Sequence, residues 1–179
     1  RFLSGEVIRY SVASQYEMLT SGFNIFGDFV IPAGKYEWWQ QQIKLETKGA
    51  RNLYGEASYR FGDFYNGRRN DIKLNMNWKV AVPFFVGGTV SRNNVSLPDG
   101  KFTANIYQVN ANVLFSPSIT LYNYFQYDNA SKSAGWQARF QWIVKPGNEI
   151  ILAWTSNFRN PEESVIPDES AVRLKLKYN

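Results

Sequence analysis

From Ile72 to Val80 the chain alternates without interruption: Ile72, Leu74, Met76, Trp78 and Val80 fall on one parity, Lys73, Asn75, Asn77 and Lys79 on the other. Successive side chains of a β-strand point to opposite faces, so a period of two predicts a strand with one dry face and one wet face. The pattern returns further along. Tyr107, Val109, Ala111, Val113 and Phe115 alternate with Gln108, Asn110 and Asn112, and Trp136, Ala138, Phe140, Trp142 and Val144 alternate with Gln137, Arg139 and Gln141. Ile150, Leu152 and Trp154 repeat the apolar row, and Val172, Leu174, Leu176 and Tyr178 interleave with Arg173, Lys175 and Lys177. No stretch sustains a helical spacing, and Gly, Pro, Asn and Ser punctuate at short intervals. The pattern predicts an all-β chain of about 10–12 strands. The predicted spans are 6–16, 23–31, 36–47, 53–62, 70–81, 84–92, 102–115, 118–128, 135–145, 149–158 and 171–178.

Most of these spans reach the roughly 9–11 residues that a tilted strand needs to cross a bilayer, about twice the mean strand of soluble proteins. Short turns are predicted at 48–51, 82–83, 116–117 and 145–148, separated by longer polar loops at 62–69, 93–101, 129–134 and 157–170. Outer membrane barrels place short turns on the periplasmic side and long loops outside, and this order matches that parity. The last strand ends on the aromatic Tyr178 with Asn179 after it, close to the way closing strands of such barrels end.

Aromatic residues make up 17% of the chain while mean hydropathy is −0.38. A polar chain rich in Trp, Tyr and Phe suits a barrel whose alternate residues face lipid, and it suits a soluble carbohydrate-binding sandwich as well. There is no cysteine and no histidine. This excludes disulfides, a Ser-His-Asp triad, a Cys-His pair and any His-ligated zinc. The formal charge of +5 comes with only one close basic doublet, Arg68 and Arg69, so no nucleic acid partner is expected.

Alternation does not separate a sandwich from a barrel, because both bury one face. Strand length, loop parity and aromatics near strand ends favour an antiparallel transmembrane β-barrel, or the C-terminal portion of a larger one. The 179 residues are read as one barrel domain or barrel segment, with the N-terminal part of the protein expected upstream.

Two runs carry a family resemblance. The first is 112–121, Asn-Val-Leu-Phe-Ser-Pro-Ser-Ile-Thr-Leu, followed by Phe125, Gln126, Tyr127, Asp128 and Asn129; the second is 138–150, Ala-Arg-Phe-Gln-Trp-Ile-Val-Lys-Pro-Gly-Asn-Glu-Ile. With Gly62-Asp63-Phe64-Tyr65-Asn66-Gly67, they resemble the C-terminal barrel of a Bacteroidota-type outer membrane family of unknown function, often fused to a carbohydrate-binding-module-9-like domain. The resemblance covers about residues 50–158. It implies location and architecture, and brings no catalytic motif. Members are sometimes labelled membrane-associated hydrolases, and the family's barrel is larger than this chain's strand count.

Candidate chemistry is sparse. Glu46 and Glu56, on neighbouring predicted strands, are the best carboxylate pair for a glycosidase-like site, and ion pairing with Lys44 or Arg60 is the plainer use. Asp63, Asp71, Asp99, Asp128, Glu162, Glu163, Asp168 and Glu169 lie in or near loops but lack a calcium-loop spacing. Of Trp38 and Trp39 at most one faces a lumen, as a sugar platform, and an interfacial girdle is the alternative. The strongest constellation is a polar, basic lining of Lys73, Asn75, Asn77, Lys79, Gln108, Asn110, Asn112, Arg139, Arg173, Lys175 and Lys177. It would favour anionic solutes or an acidic plug, or lock the wall through ion pairs.

The expected function is passage or surface handling of a nutrient, glycan or peptide, at the bacterial outer membrane, with no catalytic centre, cofactor or metal in these residues. The expected partners are a lipid bilayer or lipopolysaccharide, other outer-membrane uptake proteins, or a chain supplying further strands. A soluble carbohydrate-binding β-sandwich, and a membrane-associated hydrolase with its active site elsewhere, remain the alternatives.

Overall fold

The computed structural model describes residues 5–47, 49–161 and 166–178, and there the chain is all-β. In order the strands are β1 (Val7–Leu19), β2 (Phe23–Phe26), β3 (Phe29–Ile31), β4 (Gly34–Glu46), β5 (Leu53–Phe64) and β6 (Gly67–Ala81). They continue as β7 (Phe84–Leu97), β8 (Gly100–Ser116), β9 (Ile119–Asp128), β10 (Ser133–Lys145), β11 (Asn148–Arg159) and β12 (Glu169–Lys177). Ten of them make one antiparallel sheet in the order β1-β4-β5-β6-β7-β8-β9-β10-β11-β12, while β2 and β3 pair only with each other. Apart from β1 and β4, which pair across the β2–β3 hairpin, neighbours in sequence are neighbours in the sheet, the arrangement that tight hairpins dictate.

Three expectations change. The predicted strand 23–31 is a hairpin, because Gly27 adopts a left-handed backbone (φ 52) and the Asn24 amide donates to the Gly27 carbonyl, reversing the chain. The predicted loops 62–69 and 93–101 are strand continued to two-residue turns at Tyr65-Asn66 and Pro98-Asp99. Strands β6, β7 and β8 thereby reach 15, 14 and 17 residues. Longer connections remain at 129–132 and 160–168, so the contrast of loop lengths holds at only part of that end. Glu162 and Glu163 lie outside the described residues, as do Lys48 and Asn179.

Packing divides the chain into two compact units: one of β1–β5 with residues 67–75, 90–97 and 100–105 of β6, β7 and β8, the other of the remaining parts of those strands with β9–β12. The first unit has a dry core. Ile31, Trp38, Phe64, Val95 and Leu97 are buried, and Phe23, Phe29, Tyr36, Tyr65 and Phe102 pack around them. Here the β2–β3 hairpin lies against the sheet: Phe26 stacks on Phe102 at 4.4 Å between centroids, Phe29 reaches the same ring at 5.2 Å, and Ile31 is 0% exposed. Each such side chain contributes about 1.5–3 kcal/mol by leaving water. Gly67 is required by close approach, since a Cβ there would meet the Ser96 carbonyl oxygen at 2.1 Å.

The second unit is built differently. Among its described residues Ala134 is the one buried hydrophobic side chain, and strand pairing holds the sheet together, β8 to β9, β9 to β10, β10 to β11 and β11 to β12.

Candidate functional site

The register brings the predicted polar lining onto common strand faces. Gln108 pairs with Gln126, Asn110 with Tyr124 and Asn112 with Tyr122; Arg139 stands between Tyr122 and Ala153, and Ala153 faces Arg173. Lys175 and Lys177 follow opposite Ile151 and Glu149. Asn77 and Asn110 flank Gly87 on the same side, where a Cβ would meet their Oδ1 atoms at 2.7 and 2.5 Å, so glycine is what lets the two amides close over β7. Lys73 lies in the first unit, in a cleft of about 320 Å³ lined also by Glu56, Arg60, Arg69, Asp71 and Asn93.

That cleft neighbours the carboxylate pair. Glu46 and Glu56 sit directly opposite in the β4–β5 register, a repulsive placement for two like charges. Lys44 resolves it, with its Nζ 2.7 Å from Glu46 and 2.8 Å from Glu56, and Arg9 adds a contact to Glu46 at 3.4 Å. A cation clamped between both carboxylates occupies the space that an acid and a nucleophile would need on either side of a glycosidic bond. Arg69 likewise holds Asp71 at 2.7 Å, reaches Asn93 and lies 5.1 Å over the Phe64 ring. Among the described residues no three carboxylates gather as a metal site.

Above this polar region the core closes around Tyr65, whose backbone is left-handed at φ 52 although its side chain is bulky. Its ring meets Phe23, Tyr36, Trp38 and Phe64 at 5.9, 5.1, 4.7 and 4.7 Å, and its hydroxyl donates to Glu17 at 2.7 Å. Burial first, and the Glu17 carboxylate second, push the phenol up to about 12. Trp38 belongs to this cluster at 7% exposure, so it is neither sugar platform nor girdle, while Trp39 points to the opposite face at 57%.

In the second unit two further clefts open on β9 and β10. One of about 370 Å³ is lined by residues including Tyr124, Gln126, Gln137 and Asn157, the other of about 300 Å³ by Tyr122, Asn123, Tyr124, Gln137, Arg139 and Gln141. Sequence reasoning missed Tyr122 and Tyr124. The signal was the parity of Thr120, Tyr122, Tyr124 and Gln126 against Leu121, Phe125 and Tyr127, obscured because a tyrosine reads as apolar wherever it stands.

The opposite face is apolar and uncovered. Ile72, Leu74, Met76, Trp78 and Val80 on β6 are all exposed, as are Val109 and Phe115 on β8, Trp142 and Val144 on β10, Leu152 and Trp154 on β11, and Val172, Leu174 and Leu176 on β12. This row has a defined end. Beyond Val90 the same face of β7 carries Arg92, Asn94 and Ser96; beyond Tyr107 that of β8 carries Asn105, Thr103 and Lys101; beyond Phe61 that of β5 carries Asp63, and beyond Trp39 that of β4 carries Glu37 and Lys35. On the other face of the same strands polar residues give way, at the same level, to Val95, Leu97, Phe102, Phe64 and Trp38. Each of these strands exchanges its apolar and polar sides along its length. No family model, no curated protein and no solved structure matches this chain.

Proposed function

We propose that this chain is a transmembrane β-barrel, or the C-terminal portion of a larger one, in the bacterial outer membrane, and that its wet face serves the passage or surface handling of a hydrophilic nutrient. The observation that carries the reading is the exchange of apolar and polar sides along β4, β5, β7 and β8. A strand in one uniform solvent keeps its apolar residues on one face. A strand that leaves lipid for water must instead turn its outer side from apolar to polar, and it can then bury apolar groups only on its inner side. The apolar row from Ile72 to Val80 runs roughly 26 Å along β6, and a tilt of about 35–45° leaves it roughly 18–21 Å of depth, most of the roughly 25 Å band of outer membrane barrels.

On β8–β11 two aromatic pairs, Tyr107 with Tyr127 at 6.3 Å and Trp136 with Trp154 at 5.7 Å, are the residue types that suit an interfacial girdle. An even strand number makes β1 and β12 run antiparallel, the relation that a closing pair needs. A soluble sandwich would need a second layer over the apolar face, and among the described residues none covers it.

The β2–β3 hairpin then sits over the wet side of the first unit at the end outside the bilayer, and the ion pairs of Lys44 and Arg69 stiffen the wall beneath it. The test is expression with a secretion leader, followed by detergent extraction and scattering with contrast matching. The expected result is a particle carrying a detergent belt and a protein that precipitates when detergent is withdrawn. A monodisperse, detergent-free monomer in buffer would overturn the reading.

A further inference from the structure

We propose that the wet face of β9 and β10 is a binding track for a neutral oligosaccharide, an assignment that rests on that face lining a water-filled interior as the barrel reading has it. The two clefts there, about 370 and 300 Å³, share Tyr124 and Gln137, so they form consecutive compartments along one pair of strands. Each is at the small end of ligand sites, which run from about 300 Å³ upward, and a chain molecule of repeating units is what fills two small compartments with a common wall.

The lining chemistry selects the ligand class. Neither cleft is lined by a carboxylate, and each includes one cation, Arg159 in the larger and Arg139 in the smaller. Of the other cations of the predicted lining, Arg173, Lys175 and Lys177 stand on β12, two strands away from β10 in the sheet, and Lys73 and Lys79 on β6, three strands away from β9. Beside that single arginine, most of the polar groups of each cleft are amides and phenols. A primary amide both donates and accepts, which matches vicinal hydroxyls that do the same, and a tyrosine ring offers a flat apolar face to the CH-rich side of a pyranose.

The amides are also oriented in advance. The Gln126 carbonyl oxygen accepts from Tyr124 Oη at 2.7 Å and from Gln108 Nε2 at 3.0 Å, which turns its NH₂ into the group a ligand meets. Gln141 Oε1 accepts from Arg139 at 3.2 Å and its NH₂ donates to Glu149 at 3.3 Å, so the end of the smaller cleft is held rigid. A peptide ligand would lack a sheet edge to pair with, since β9 and β10 both lie inside the sheet with their ladders used on each side.

The experiment is calorimetric titration of the full chain with malto-, cello- and β-1,3-gluco-hexaose, each beside its sulfated form, in whatever medium keeps the protein monodisperse. One neutral series should bind, its sulfated form more weakly. Tyr124→Ala and Gln137→Ala should each weaken binding by about tenfold, Tyr124→Phe should retain most of it, and Arg68→Gln, outside the lining, should leave it unchanged. Gln137 is exposed, so its variant keeps the test open should Tyr124→Ala fail to fold. Absence of binding by every neutral hexaose at about 1 mM, preference for the sulfated sugars, or indifference to both Tyr124 and Gln137 would overturn the proposal. The detergent belt is measured separately, so a barrel that binds no glycan and a soluble protein that binds one are distinguishable results.

Discussion

The face of β6 that carries Ile72, Leu74, Met76, Trp78 and Val80 offers five consecutive depths at which the surrounding medium can be read. Arginine is introduced at each in turn. The row spans roughly 26 Å along the strand, so its centre is Met76, and Met76 is 56% exposed, open to whatever medium lies beside it. In lipid the cost depends on depth: about 2–4 kcal/mol for Met76→Arg, intermediate for Leu74→Arg and Trp78→Arg, and about 0–1 kcal/mol for Ile72→Arg and Val80→Arg. The native Arg68, one strand repeat beyond Asn70 on the same face, marks where the cost has vanished. The assay is urea unfolding of the vesicle-inserted protein, followed by the heat-dependent gel mobility of folded barrels. Two results refute the argument. A flat profile within about 0.5 kcal/mol would mean that the face is in water. A profile equally high at all five positions would mean that another protein layer covers it.

Two further outcomes follow from the first unit. Phe102→Ala removes the ring on which Phe26 and Phe29 both pack, and it should loosen the β2–β3 hairpin by about 3 kcal/mol, the lower end for a truncated phenylalanine, because the site is only half-buried. Faster protease nicking at Gly27-Asp28 would show it, and an unchanged nicking rate would mean that the stack does not hold the hairpin. Tyr65, its phenol raised to about 12, contributes stability that is complete below its unfolded value near 10 and is lost as pH climbs from there through about 12. In a titration of tyrosinate absorbance the wild type should show a late-ionising phenol that Tyr65→Phe abolishes; identical curves would sink the assignment.

The strands from Ile72 to Val80, Tyr107 to Phe115 and Trp136 to Val144 were legible because a uniform environment on each side makes every second residue repeat. Antiparallel order followed from the short turns at Val82-Pro83, Pro117-Ser118 and Pro146-Gly147. What stayed hidden were the ends of β5, β6, β7 and β8, read as loops for their polar composition. In Arg92, Asn94 and Ser96 against Val95 and Leu97 the alternation never stops; only its phase reverses, and a reading that assigns one dry parity to a whole strand takes the reversal for an end. The hairpin was hidden because Phe23, Ile25, Phe29 and Ile31 have the period of a spanning strand and only the left-handed turn at Gly27 folds them into the core beside Phe102.

The lining residues divide along the same line. Those on β6, β8, β10 and β12 follow from their parity, whereas Tyr122 and Tyr124 require the register of β9 against Asn112 and Asn110 before they can be placed on the polar side. The two features hidden from the sequence are therefore linked to the two proposals. The reversal of phase supports lipid outside the row that begins at Ile72, and the tyrosines among the amides support a sugar inside. Two cations are ion-paired: Lys44, expected as a partner of Glu46 and Glu56, is bound between both carboxylates, and Lys177 of the predicted lining lies 3.6 Å from Glu149. A cation already held by a neighbouring carboxylate stiffens a wall more than it selects a solute, and under the glycan proposal recognition falls to the uncharged amides and phenols of β9 and β10.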